Sequence, residues 1–292
     1  MNIVVFGKNG QLAKELVFEA PSNVNLLFLG REETNILSLD AIEKSLANFP
    51  VDVIINASAY TAVDKAESEH QQAYAVNQLA VENMSIYSEK VNARFLHVST
   101  DFVFDGSNNI AYTPEDKANP KSIYGKSKFA GELSVKKCHP TNSSVIRTSW
   151  LYSVSGNNFL KTMLRLMQEK ESLSVVSDQI GCPTNANGLA RFIWKLTQVK
   201  QLKSIYHWSD KGVASWYDFA VAIQNIAYQY GVLETKIPIQ PIPTKDYPTP
   251  APRPHFSLLN ANTSYDILNS NHWTIELNKC IKRLASTKEA DS

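Results

Sequence analysis

Five short apolar runs, at residues 3–6, 26–29, 51–56, 95–99 and 145–147, recur through the first half of the chain. None is long enough for a helix, and none alternates between apolar and polar residues. Such runs predict strands covered on both faces, the condition of a parallel sheet. Between them lie segments of helical period. Ala73, Val76, Ala80, Met84 and Tyr87, for example, recur at three- and four-residue steps and form one apolar stripe. Strands alternating with amphipathic helices are βαβ units, so the chain reads as an α/β protein with a doubly wound parallel sheet of Rossmann type. After about Trp150 the pattern becomes mainly helical. Leu160, Met163, Leu164 and Met167 form one stripe, and Phe219, Ile223 and Ile226 form another behind a Ser215–Asp218 capping pair. We therefore expect a dinucleotide-binding domain over residues 1–149 and a smaller, mainly helical substrate-binding region over 150–292, interleaved with the last elements of the first. Seven of the thirteen prolines fall within residues 238–254, which reads as a stiffened loop or linker. Because that stretch ends around Arg253, lining a pocket is its alternative role.

Charge removes two function classes. Twenty-nine basic and 28 acidic residues leave a net charge of +1, too little for a global field that would hold the chain on nucleic acid or an anionic membrane. The apolar start, broken at Gly7, is shorter than a signal-peptide core or a membrane span, which points to the cytoplasm. Cys138, Cys182 and Cys280 have neither disulfide-framework nor zinc spacing and are expected to be buried, inert thiols.

Gly7-x-x-Gly10-x-x-Ala13 stands where the first strand passes into the first helix. Gly7 allows a tight turn, Gly10 a close backbone approach to a pyrophosphate at the helix N-terminus, and Ala13 close helix–strand packing. After the second strand comes Gly30-Arg31-Glu32, where an acidic residue would hold the ribose hydroxyls of NAD. A guanidinium suits a 2′-phosphate, so Arg31 favours NADPH, with NADH as the second choice. A solvated surface arginine is the alternative.

Tyr124-Gly125-Lys126-Ser127-Lys128 enters a helix, and Ser99-Thr100-Asp101 ends the fourth strand. Tyr124 and Lys128 share a helix face at four-residue spacing. The ammonium is expected to bring the phenol, ordinarily near pKa ~10, closer to working pH. Carbonyl reduction needs a hydride on carbon and a proton on oxygen. A nicotinamide supplies the first and Tyr124 the second, with Thr100 hydrogen-bonding the same oxygen. The bland alternative is an amphipathic helix with a solvated lysine.

These residues resemble the extended short-chain dehydrogenase/reductases, and within them the reductases of 4-keto sugars carried on dTDP. The likeness runs through Phe6-Gly7-Lys8-Asn9-Gly10-Gln11-Leu12, the stretch from Asn56 to Glu67, Ser99 to Phe104, Tyr124 to Lys128 and Arg147-Thr148-Ser149-Trp150. It continues through Asn157-Asn158-Phe159, Asp178 to Thr184, and Tyr247 to Pro254, so it spans nearly the whole chain. The resemblance implies that Tyr124 is the acid, that Lys128 holds the nicotinamide ribose, and that Thr100 and Asp101 face the sugar. It places Gly7, Gly10, Gln11, Leu12, Arg31, Asn35, Ile36, Ala59, Tyr60 and Thr61 around the cofactor, together with Tyr124 and Lys128. Trp150, Asn158 and Arg253 would meet the substrate, Arg253 at the diphosphate. The alternatives are that Trp150 is core, that Asn158 caps the helix beginning at Phe159, and that Arg253 pairs with a surface carboxylate. Asp64 and Glu67 read as helix-start charges.

Two departures stand out: Ala13 replaces a frequent glycine, and Asn35 replaces an aspartate near the adenine. Some relatives hold Mg2+ between subunits of a homodimer through glutamates. Glu15 matches one of them, but Asn187 stands where another would be, which argues against a metal here. The expected activity is reduction of a dTDP-4-keto-6-deoxy-L-mannose, for the rhamnose of surface polysaccharide. Reduction of another dTDP-4-keto-6-deoxysugar stays open, as does a non-catalytic role like that of the regulatory subunit of methionine adenosyltransferase. The intact Thr100, Tyr124, Lys128 and Trp150 favour an enzyme.

Overall fold

The computed structural model describes residues 1–290, with side chains as far as residue 286. Strands β1 (Asn2–Phe6), β2 (Asn25–Leu29), β3 (Val53–Asn56), β4 (Arg94–Thr100), β5 (Ser143–Thr148) and β6 (Ile205–Trp208) form one sheet. Its order is β6-β5-β4-β3-β1-β2, and every pairing is parallel. The winding direction changes between β1 and β3. Ligands of open α/β sheets bind at such a switch point, beyond the carboxyl ends of the strands.

The sheet is covered on both faces, which is why its strands read as continuous apolar runs. Ile3, Val4, Val5 and Phe6 are all fully buried. Helices α1 (Gln11–Phe18) and α6 (Ala186–Leu196) pack one face through Leu12, Ala13, Leu16, Leu189, Phe192 and Ile193. Helices α2 (Leu39–Leu46), α3 (Ala80–Lys90) and α4 (Ile123–Cys138) pack the other through Ile42, Leu46, Ala80, Met84 and Val135. Residues after 150 therefore return to the sheet as α6 and β6. The sequence reading missed β6 because Ile-Tyr-His-Trp carries a polar residue. In the fold, His207 is buried, with Nδ1 3.0 Å from the Tyr112 carbonyl oxygen.

The stripe between β3 and β4 is interrupted. A π-helical turn, Ala75–Leu79, separates the helix His70–Tyr74 from α3. The extra residue per turn shifts the helical phase, so Val76 is only half-buried while Asn77 is turned inward and buried.

Helices α5 (Phe159–Glu169), α7 (Trp216–Gln229) and α8 (Trp273–Ala290) carry a second apolar cluster. It includes Leu160, Met163, Met167, Phe219, Ile223, Leu277 and Ile281. The capping box forms as expected: Ser215 Oγ accepts from Asp218 N at 3.0 Å, and Ser215 N donates to the Asp218 carboxylate at 2.8 Å. The proline-rich stretch is not a simple linker. Its Ile239–Ile242 pairs in parallel with Leu173–Val176, placing Pro241 opposite Val175 in a two-stranded sheet, where a missing N–H is tolerated at the edge. Cys182 and Cys280 are buried free thiols pushed up by burial, whereas Cys138 is half-buried. No helix among the described residues is long and apolar enough to cross a membrane.

Candidate active site

The glycine turn is shaped by the backbone behind it. Gly7 has φ +100°, and a Cβ there would lie 2.7 Å from the backbone of Ala57 and Ser58 after β3. Gly10 N donates to the Gly7 carbonyl at 2.8 Å, and Gly7 N and Lys8 N both donate to the Leu29 carbonyl at 3.0 and 3.3 Å. The first turn of α1 thus begins without a side-chain cap, leaving its N–H groups available to an anion. Leu12 lies in the core, so only its backbone belongs to this turn. Gln11 leads away from it, with Nε2 donating to the Leu151 carbonyl at 3.2 Å.

Beyond β3, Ala59-Tyr60-Thr61 is held by Asn77. Its Oδ1 accepts from Tyr60 N at 2.9 Å, while Nδ2 lies 3.1 Å from the Tyr60 carbonyl and 3.0 Å from Ser127 Oγ. One amide, turned inward by the π-helical turn, therefore links the loop after β3 to α4. The sequence reading missed Asn77, for which a polar residue in an apolar stripe was the only signal. Asn35 and Ile36 lie beyond β2: Asn35 Oδ1 accepts from Leu37 N at 3.1 Å, and Ile36 packs on the sheet cluster.

Tyr124 and Lys128 lie in the first turns of α4, whose N-terminus is capped by Ser122 Oγ accepting from Gly125 N. A Cβ at Gly125 would stand 2.3 Å from the Phe102 carbonyl oxygen, so the glycine lets α4 seat against the turn after β4. In that turn Thr100 Oγ1 donates to Asp101 Oδ1 at 2.9 Å and accepts from Phe102 N at 3.2 Å. Burial pushes the Tyr124 phenol up to about 12, although the Thr100 hydroxyl facing it works the other way. Burial also lowers the Lys128 ammonium to about 8, partly opposed by Glu132. The expected lowering of the phenol by Lys128 is thus corrected. Lys128 Nζ donates to the Val98 carbonyl at 2.7 Å, and desolvation dominates at Tyr124. The phenol keeps its proton, as an acid must. Asp101 is raised to about 6 by burial, and its Oδ2 lacks a hydrogen bond of ordinary geometry.

The other residues expected to meet the substrate are engaged within the chain. Trp150 adopts φ +47°, an uncommon conformation for a bulky residue, and stacks on Trp216 with centroids 3.6 Å apart. A Cβ on Gly181 would meet the indole at 2.8 Å. Trp216 is a second residue missed from sequence, hidden in the capping box of α7. Asn158 caps α5: its Oδ1 accepts from Lys161 N at 3.1 Å and its Nδ2 donates to the Ser153 carbonyl at 2.9 Å. Arg253 Nη2 pairs with Asp64 Oδ2 at 2.8 Å, and Asp64 Oδ1 accepts from Ala251 N at 3.3 Å. Glu67 accepts from Ile123 N at 2.7 Å. Asp64 lies in the first turn of the helix Val63–Ala66, as expected, and also fastens the proline-rich segment, whereas Glu67 stands at the end of that helix and holds the start of α4.

The RmlD substrate binding domain model matches residues 1–286. A dTDP-4-dehydrorhamnose reductase of Sinorhizobium fredii is 38% identical over 268 residues, covering 90% of each chain. The chain belongs to the dTDP-4-dehydrorhamnose reductase family. Its fold is likewise that of solved family members. The reductase structure from Clostridium acetobutylicum matches with TM-score 0.90 and 35% identity, covering 97% of this chain and 99% of that one. The Bacillus anthracis reductase, solved in complex with NADP, matches with TM-score 0.90 and 34% identity over the same shares.

Glu15 is buried and compensated within this chain. Its carboxylate accepts from Arg283 Nη1 at 2.7 Å and from Asn187 Nδ2 at 3.2 Å, and the same amide lies 2.8 Å from Glu19. Among the described residues no group of three or more His, Cys, Asp or Glu side chains is placed to hold a metal ion.

Proposed function

We propose that this protein reduces the 4-keto group of dTDP-4-dehydro-L-rhamnose to give dTDP-L-rhamnose, using NADPH. The observation that carries the reading is the buried meeting of Thr100, Asp101, Tyr124 and Lys128 at the carboxyl end of β4, the same edge of the parallel sheet as the Gly7–Gly10 turn. The turn fits a dinucleotide: a Cβ at Gly7 would collide with the backbone, and the uncapped α1 N-terminus offers N–H groups to a pyrophosphate. Bound NADPH supplies a hydride to the carbonyl carbon. Tyr124, protonated because it is buried, gives its proton to the oxygen, while the Thr100 hydroxyl, turned from its hydrogen bond with Asp101, donates to the same atom and stabilises its developing charge. Lys128 holds the nicotinamide ribose, and as a cation it restores charge balance when Tyr124 becomes phenolate. Asp101 Oδ2 is the acceptor for a sugar hydroxyl. The Trp150–Trp216 stack forms an apolar wall for the deoxysugar, and Arg253 meets the diphosphate. The reading places the protein in the cytoplasm, supplying a sugar nucleotide for surface polysaccharide.

The test is turnover of dTDP-4-dehydro-L-rhamnose with NADPH, followed by loss of nicotinamide absorbance and identification of the product by NMR. Stoichiometric dTDP-L-rhamnose is expected. Turnover of only another dTDP-4-keto-6-deoxysugar would move the assignment to a sister enzyme. Tight NADPH binding with no turnover of any such sugar would favour a regulatory relative.

A further inference from the structure

We propose that Glu33 sets the cofactor preference by occupying, as an internal anion, the donors that a ribose 2′-phosphate would otherwise engage. The proposal rests on the reductase reading and concerns the adenosine end of the same cleft. Gly30 directly follows β2, where the second strand of such a fold meets the adenosine ribose. The end of that strand and the glycine turn are fastened together through the Leu29 carbonyl. Across this junction Glu33 Oε2 accepts from Gly30 N at 2.8 Å, while Oε1 accepts from the Lys8 ammonium. A backbone N–H, an ammonium and the adjacent exposed guanidinium of Arg31 are a donor set suited to phosphate. In this chain a carboxylate already takes two of them.

The consequence differs for the two cofactors. A ribose 2′-hydroxyl donates to a carboxylate, so NADH is compatible with Glu33 in place. A 2′-phosphate can only accept, and must displace Glu33 from Gly30 N and Lys8 against like-charge repulsion. The Lys8 and Glu33 side chains keep 47% and 31% of their surface exposed, so solvent screens the pair and the carboxylate can swing away. The outcome is an NADPH preference smaller than Lys8, Gly30 N and Arg31 would give without Glu33, and a single neutralising change enlarges it. Glu33 tunes it more than Arg31 or Glu32 does.

The experiment is equilibrium titration of the purified protein, without sugar substrate, with NADPH and with NADH, followed by nicotinamide fluorescence. The variants are Glu33→Gln, Lys8→Met and the double substitution. Glu33→Gln is expected to raise the ratio of NADPH to NADH affinity about tenfold, the scale of one charge-assisted hydrogen bond. Lys8→Met should weaken NADPH alone, and in its background Glu33→Gln should gain much less. Saturable binding of both cofactors, with a ratio unchanged or moved toward NADH in Glu33→Gln, would overturn this proposal while leaving the reductase reading standing. Failure of the wild-type protein to bind either cofactor would overturn both.

Discussion

The floor and the rim of the site are built in opposite ways. On the floor, Thr100, Asp101, Tyr124 and Lys128 are each less than a tenth exposed, and hydrogen bonds or tight packing along β4 and α4 hold them. At the rim, the charged groups that would grip a ligand are partly exposed and paired within the chain: Lys8 with Glu33 and Arg253 with Asp64. Desolvation favours the neutral form of each group, so it holds the proton on the Tyr124 phenol and brings the Lys128 ammonium closer to losing its own. Paired surface charges instead exchange one partner for another at small net cost, because solvent already weakens the pair. Loss of the proton donor on the floor should therefore act on kcat, and changes at the rim on affinity, with Lys128 serving both.

The largest effect tests the floor. Tyr124→Phe removes a donor needed as the alkoxide forms and should lower kcat by roughly 10²- to 10⁴-fold while leaving NADPH affinity intact. Steady-state kinetics with a separate cofactor titration would check this, and a variant retaining most of its turnover would sink the assignment. Lys128 gives the same floor a pH signature. With the ammonium lowered to about 8, it is charged below that pH and neutral above it. If the cation is the working form, kcat falls as pH rises through about 8. Lys128→Met should turn over slowly, bind NADPH more weakly and lack that limb. An identical alkaline limb in the variant would assign it to another group.

Arg253→Ala tests the rim at the substrate end. Loss of a charge-assisted contact should cost about 1.5–3 kcal/mol, or roughly ten- to hundredfold in kcat/KM. Asp64 sharpens the comparison because it already holds the guanidinium. Asp64→Asn should leave NADPH binding unchanged and alter KM by less than Arg253→Ala does. A larger loss in Asp64→Asn would mean that fastening the proline-rich segment matters more than freeing the arginine.

The floor was also the more legible part of the site. Gly7, Gly10, Tyr124 and Lys128 announce themselves because their roles depend on local spacing at a strand end or along one helical face. Asn77 does not, because its inward turn depends on a π-helical insertion that shifts the phase of the stripe. The direction of the Tyr124 shift was misread for a related reason: spacing reveals a neighbouring lysine, but desolvation comes from residues distant in sequence. At the rim, Arg31 was legible as a charge after β2. Which member of Arg31-Glu32-Glu33 reaches Gly30 N is decided by the path of the turn, and the sequence pattern does not specify it. The Trp150–Trp216 stack joins residues 66 positions apart and leaves no local signature.

The smallest effect follows from that last distinction. Arg31 is exposed and makes no hydrogen bond or ion pair among the described residues, so its guanidinium is available but not pre-positioned. Ordering a long side chain onto a phosphate costs rotamer entropy, and an exposed ion pair is worth only about 0.2–1 kcal/mol. Arg31→Ala should therefore reduce the preference for NADPH over NADH by no more than about fivefold. The change should shrink further in high salt, where the Debye length falls to about 3 Å. Paired titrations of both cofactors at low and high ionic strength would measure it. A salt-independent loss much larger than this would mean that Arg31, not Glu33 acting through Lys8 and Gly30, governs the choice at this end of the cleft.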